Sequence, residues 1–140
     1  MMTVYKSSCH CGAVTAEFET DTDPAKIDVR QCQCSFCRAH DATSASDPTG
    51  RIRYIEQVSG AIHRYQFGTK SCDFILCRHC GVYLGATMQD DTSNGYATTN
   101  IKHFKDRALF TKLPRRVHYD DEDLEPRLER RQGSWTPIVG

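Results

Sequence analysis

The run Ser71–Cys72–Asp73–Phe74–Ile75–Leu76–Cys77–Arg78–His79–Cys80–Gly81–Val82–Tyr83–Leu84–Gly85–Ala86–Thr87 decides how the chain is read. Two short β-type segments, Cys72 to Leu76 and Val82 to Thr87, flank a C-x-x-C turn. Around such a turn two sulfurs converge on one ion, and Gly81 lets the chain turn away. The unit reads as a zinc knuckle between two strands and points to a mainly β chain.

Working upstream, two further cysteine groups appear. Cys9 and Cys11 form C-x-C, and Cys32, Cys34 and Cys37 form C-x-C-x-x-C. Cysteines two apart in a strand project to the same face, which suits a shared metal better than a mutual disulfide. Eight cysteines in 140 residues also fall short of the roughly 8–10% of disulfide scaffolds. The first residues, including Lys6, Ser7 and Ser8, contain no apolar stretch of a secretory signal. The expected compartment is therefore the cytoplasm, where structural disulfides are rare. Thiolates select zinc, copper(I) or an iron–sulfur cluster. The spacings do not match the usual cluster runs, so zinc is the expected ion and iron–sulfur the alternative.

The rest of the composition excludes other classes. Lys plus Arg and Asp plus Glu are both 18, so no basic excess suggests nucleic acid or an anionic membrane surface. Seven thiolates around two dications would make this neutral chain acidic. Lys112, Arg115 and Arg116 form the one small basic cluster, and it reads as a solvated loop. Hydrophobic residues at 39% argue against disorder, and no apolar run is long enough to span a membrane. The length suits one domain over residues 1–140.

Strands are expected on both sides of the cysteine groups. From Gly12 to Glu19, Val14, Ala16 and Phe18 alternate with Thr15, Glu17 and Glu19, the pattern of a half-buried strand. Thr20 to Pro24 reads as a polar turn, and Ile27 to Gln31 as a strand delivering Cys32. Thr43 to Gly50 reads as a loop. Arg51–Val58 and Ala61–Phe67 suggest a hairpin about Ser59–Gly60, and Asn94–Gly95 a turn before Tyr96–Thr99. Ile101–Phe104 suggests one helical turn, and Asp120–Gln132 a short helix whose start is restricted by Pro126, with Leu124 and Leu128 as its apolar stripe and a solvated charged face. Trp135–Ile138 carries enough apolar surface to dock on the body.

Tetrahedral structural zinc usually takes two close pairs of ligands from distant segments. Joining Cys9 and Cys11 to Cys77 and Cys80 makes one closed, structural site. Cys32, Cys34 and Cys37 cannot fill a tetrahedron alone. Either Cys72 or a histidine, of which His40 is nearest, closes that site, or its fourth position is left to water or a substrate sulfur, as in catalytic zinc. His10 and His79 lie inside the motifs and are expected to face solvent, and His63, His103 and His118 carry no local motif.

Cys9–His10–Cys11–Gly12, Cys32–Gln33–Cys34–Ser35–Phe36–Cys37–Arg38 and Leu76–Cys77–Arg78–His79–Cys80–Gly81, with Tyr65–Gln66–Phe67–Gly68–Thr69 before the last, resemble the glutathione-dependent formaldehyde-activating enzyme family, which includes centromere protein V. The resemblance covers residues from about 5 to 85 by motif. It implies a mainly β, zinc-ribbon-like fold of the β-tent type, with small sheets around two cysteine–zinc sites. It implies that Cys9, Cys11, Cys77 and Cys80 hold a structural zinc. It likewise implies that Cys32, Cys34 and Cys37 form the catalytic site, a second zinc site that is partly empty in some states. The activity implied is carbon–sulfur lyase chemistry on an adduct such as S-hydroxymethylglutathione, with glutathione or a similar small thiol as partner. A binding module in which zinc only staples the fold is the alternative. Arg38 is a candidate for binding a substrate carboxylate, and Cys72 has no counterpart in the family pattern.

Overall fold

The computed structural model describes residues 2–139. In chain order its elements are β1 (Thr3–Ser8), β2 (Val14–Thr20), β3 (Val29–Cys32), α1 (Ser35–His40), β4 (Ser44–Ala45), β5 (Arg51–Glu56), β6 (Ile62–Tyr65), β7 (Asp73–Cys77), β8 (Tyr83–Gln89), β9 (Gly95–Asn100), β10 (Arg115–Val117), α2 (Leu124–Ser134) and β11 (Thr136–Pro137). The fold is mainly β. The expected alternation is present in β2, where Val14, Ala16, Phe18 and Thr20 are buried and the residues between them half-exposed.

The strands make two sheets. One is a three-stranded antiparallel sheet in the order β1-β2-β5. The other runs β10-β3-β4-β9-β8-β7-β6, with β10 parallel to β3 and the remaining neighbours antiparallel. Strand β11 pairs with Tyr96 and Ala97 of β9, while β4 pairs with Thr99 and Asn100, so two short strands lie end to end along one edge of β9. The expected docking of the Trp135–Ile138 segment is thereby met.

Two expectations fail on pairing. Arg51–Glu56 and Ile62–Tyr65 are strands, but they do not form a hairpin: β5 joins β2 in the first sheet and β6 joins β7 in the second. The bend at Ser59–Gly60, with Gly60 at φ 76°, moves the chain between sheets. The stretch from Thr43 to Gly50 is also no surface loop. Thr43, Ser44, Ala45 and Asp47 are buried, and Ser44–Ala45 is the strand that bridges β3 to β9. Its polar groups find partners inside the protein: the Asp47 carboxylate accepts from Thr20 and from Thr49 Oγ1, and Ser46 Oγ donates to the Ser134 carbonyl at 2.7 Å.

Three apolar clusters hold the sheets together. Between them, Tyr5, Phe18, Val29, Ile52, Phe104 and Phe110 pack with edge-on and tilted rings. Full burial of a side chain such as Phe18 contributes on the order of 2–3 kcal/mol. The other two clusters each surround one group of cysteines. Strand β8 runs past both, buried on both faces, and supplies Tyr83 and Ala86 to one and Leu84 to the other. At its centre Gly85 lies so close to β9 that an added Cβ would come within 2.6 Å of the Thr98 carbonyl oxygen.

Candidate metal centres and the pocket beside them

The C-x-x-C turn is built as the sequence suggests. β7 enters it and β8 leaves it, the Gly81 N–H donates to the Cys77 carbonyl at 2.8 Å, and Gly81 takes φ 79°. A second turn between β1 and β2 mirrors it: the Gly12 N–H donates to the Cys9 carbonyl, and Gly12 takes φ 83°. The two turns bring the sulfurs of Cys9, Cys11, Cys77 and Cys80 within 4.8 Å of one another. Cys9–Cys11 and Cys11–Cys77 separations are 3.7 and 3.6 Å. Zinc–sulfur arms of about 2.3 Å place sulfurs about 3.8 Å apart in a regular tetrahedron, so four thiolates at these distances fit zinc.

Backbone donors already point at these sulfurs. Val14 N–H reaches Cys9 Sγ at 3.3 Å, and His79 and Cys80 N–H groups reach Cys77 Sγ at 3.4 Å. Such bonds favour the charged thiolate, the form that binds metal. Burial works against the Cys80 thiolate, but the Cys11 and Val82 backbone donors and the neighbouring thiols bring its pKa down to about 6. Cys9 and Cys77 are buried, and His10 and His79 point to solvent as expected. Every cysteine in the chain is a free thiol.

The second group lies at the corner between β3 and α1. Cys32 ends the strand, Cys34 caps the helix, and Cys37 sits one turn in, so that the three sulfurs also lie within 4.8 Å of one another. Asp41 ends the helix in a left-handed conformation at φ 49°. Cys34 Sγ accepts from the Cys37 N–H at 3.4 Å. Contacts from the Cys32 and Cys37 thiols, with that N–H, hold the Cys34 pKa far below the thiol range, and the same contacts push Cys37 up.

No fourth ligand joins them among the described residues. Cys72 is buried in the wall of the neighbouring cavity, where burial raises its thiol pKa, but it stands outside the group of three sulfurs. The His40 ring packs against Phe36 and Tyr83 and is not part of the group either. Three thiolates meeting at one corner still fit zinc, with a coordination position left over. Phe36 supports the corner from behind, in ring contact with Tyr65, Phe67, Phe74 and Tyr83.

Cys32, Cys34 and Cys37 open onto a cavity of about 110 Å³. Phe67, Phe74, Tyr83 and Trp135 form its apolar wall. Its other wall is cationic: Arg30 from β3 and Arg127, Arg130 and Arg131 from α2. The charged face of this helix, expected to be solvated, therefore lines the pocket, while Leu124 is about half exposed at 47%. Sequence reasoning did not single out these four arginines. The i, i+3, i+4 spacing of Arg127, Arg130 and Arg131 was the one signal that places them on a common face. Arg38, by contrast, is exposed and borders a different hollow, lined also by Cys32, Cys37 and Arg116. The basic cluster containing Arg115 is not a plain loop either: Arg115 and Arg116 belong to β10, and Arg115 pairs with Asp28 at 2.7 Å. No helix among the described residues is long and apolar enough to cross a membrane.

Comparison with known proteins agrees with the two sulfur groups. A search of curated proteins finds no match. A crystal structure of a Rhodobacter sphaeroides protein is 30% identical and superposes with a TM-score of 0.58, covering 80% of this chain and 99% of that one. Residues 4–112 match the family described as glutathione-dependent formaldehyde-activating enzyme, so both sulfur groups lie inside the match and β10, α2 and β11 beyond it. On the extent of that match, the chain belongs to the glutathione-dependent formaldehyde-activating enzyme family.

Proposed function

We propose that the protein is a zinc-dependent carbon–sulfur lyase that makes or breaks the adduct of a small thiol and an aldehyde, of the S-hydroxymethylglutathione type. The observation that carries this reading is the three-sulfur corner, which has no fourth protein ligand among the described residues and faces a cavity. Cys9, Cys11, Cys77 and Cys80 would hold a structural zinc, and Cys32, Cys34 and Cys37 a second ion with room for a substrate sulfur. Zinc bound there would lower the pKa of a substrate thiol, so that a nucleophilic thiolate exists at neutral pH.

The reaction needs little else in the way of chemistry. The sulfur forms a bond to the aldehyde carbon, the carbonyl electron pair moves to oxygen, and the proton given up by the thiol ends on that oxygen. The reverse sequence releases both partners, so no oxidant or reductant is consumed. The residues around the corner have three tasks. Cys32, Cys34 and Cys37 position the reacting sulfur. Phe67, Phe74, Tyr83 and Trp135 limit water around it, which strengthens electrostatic interactions within the pocket. Arginines in the opposite wall offer donors to negative charge on substrate oxygen.

Native mass spectrometry tests the reading by counting zinc per chain before and after excess glutathione. Two zinc ions, one of which gains a thiol adduct or is displaced, are expected, and Cys34→Ser is expected to remove that response. Two zinc ions indifferent to thiol would mean that both sites are closed, and the protein would then be a zinc-stapled binding module.

A further inference from the structure

The arginines in the pocket wall are not equivalent. Arg130 makes a forked pair with Glu122, at 2.9 to 3.2 Å, and stacks on the Tyr119 ring. Arg127 lies against the same carboxylate at 3.7 Å and donates to the carbonyls of Tyr119 and Glu122. Arg30 and Arg131 have no such partner. Both are more than nine-tenths buried, at 8% and 6% exposure, and neither pairs with a carboxylate among the described residues. Arg30 donates to the hydroxyls of Ser46 and Thr98. Arg131 donates from Nη1 to Ser71 Oγ at 2.8 Å, while its Nε is buried with no acceptor. Asp120, also at the cavity, is exposed and bonds to neither.

Arg131 also lies over the Trp135 ring, 5.0 Å from its centroid, but two buried cations without a directly paired carboxylate are costly unless an anion joins them. Three thiolates around a dication carry one negative charge, which offsets one of the two. The other charge is left for a ligand in the cavity that both arginines line. Size narrows the ligand further. A cavity of about 150 Å³ takes up a molecule of roughly six heavy atoms such as benzene, and this one, open to solvent on one side, offers about 110 Å³. Glutathione, at about twenty heavy atoms, belongs with the larger pockets of roughly 300 Å³ and above.

The geometry points to a small thiol acid as the substrate that fills the pocket, its sulfur at Cys32, Cys34 and Cys37 and its carboxylate between Arg30 and Arg131. This rests on the open three-sulfur site proposed above and specifies what that site accepts. Arg30 lies inside residues 4–112, the segment that matches the family, and Arg131 lies beyond it on the C-terminal helix.

Calorimetric titration of the zinc-loaded protein tests this with 3-mercaptopropionate, its neutral amide, glutathione, and propionate, which lacks sulfur. The acid is expected to bind at least about tenfold tighter than the amide, the range of one charge-assisted bond, and no more weakly than glutathione. In Arg131→Met that preference for the acid should vanish, and in Arg131→Lys part of it should remain. Equal binding of acid and amide, or much tighter binding of glutathione, overturns the inference and leaves the open site standing. Binding of propionate, dependent on Arg131, without binding of any thiol would leave the anion subsite standing and overturn the open-site reading. No binding by any of the four overturns both. If Arg131→Met does not fold, the comparison of acid with amide in the unaltered protein decides by itself.

Discussion

The two sulfur groups use the same ligand chemistry and are built in opposite ways. Cys9, Cys11, Cys77 and Cys80 come from two strand turns 66 residues apart, each closed by a glycine at positive φ. Cys32, Cys34 and Cys37 come from one corner, a strand end running into a six-residue helix. The first group ties the two sheets together, since β1 and β2 belong to one and β7 and β8 to the other. The second belongs to one sheet and its attached helix, and it faces a cavity. A tetrahedron completed across two sheets resists opening because both must move. A three-sulfur corner exposes its fourth position to anything that enters the pocket. How the chain delivers its sulfurs, more than how many it delivers, separates a closed clamp from a corner that faces a cavity.

The largest expected effect breaks the fold through the clamp and spares it through the corner. In Cys77→Ser one of the four sulfurs that could hold zinc is replaced, at a position only 2% exposed. Structural zinc supplies folding free energy directly. A loss of about 3 kcal/mol or more is expected, which lowers the melting temperature by roughly 10 °C in a domain of this size. Cys34→Ser is expected to melt within about 3 °C of the unaltered protein while losing its second zinc. Thermal melts followed by circular dichroism, with zinc counted on the same samples, give both numbers. If Cys34→Ser melts as low as Cys77→Ser, the second group is also a clamp, and the contrast between them is gone.

A middle-sized effect sharpens the contrast from the packing side. Phe36 lies on α1 between Cys34 and Cys37, stacks on Tyr65 and Phe67 and packs tilted against Phe74. Phe36→Ala removes that support, and for a partly buried ring a cost of about 2 kcal/mol is expected. The helix that carries Cys37 then loses its backing, whereas the knuckle between β7 and β8 keeps its own turn. Zinc affinity measured by competition with a chelator should fall at the three-sulfur site and hold at the four-sulfur site. Equal losses at both would mean that the two groups share one rigid body.

These regions also differed in how readable they were. The knuckle and the alternation of Val14, Ala16 and Phe18 were legible because both are local: short turns and period-two burial are written within a few residues. Partner choice is not local. Ser59–Gly60 announces a bend, but nothing nearby says that β5 pairs with Glu17 and Phe18 instead of returning along β6. Thr43 to Gly50 has the composition of a loop, and only its position between β3 and β9 buries it. The pocket was the least legible part. A stripe of Arg127, Arg130 and Arg131 has the same spacing whether it meets water or walls a cavity, and Arg30 has no local motif. The docking of α2 over the three-sulfur corner decides between the two, and that contact spans some ninety residues of sequence, as between Ser46 and Ser134.

The smallest expected effect concerns that docking. Hydrogen bonds from Arg130, then the nearby charges of Arg130, Arg127 and Arg131, hold the Glu122 carboxyl below its ordinary value of 4.5. A depressed pKa in the folded state means stability that is fully present above the unfolded value and lost as pH falls through the folded one. Glu122→Gln removes this contribution at neutral pH, where a loss of no more than about 1 kcal/mol is expected for a pair that is partly open to solvent. The gap in melting temperature between variant and parent should therefore be constant from pH 8 to about 5 and close below about 4. Hydrogen exchange should show α2 loosened while the amides of the β7–β8 turn are unchanged, because the carboxylate anchors only the wall of the pocket. A gap that stays open in acid would mean that Glu122 acts through shape and not charge, and a loosened β7–β8 turn would mean that the clamp depends on the pocket after all.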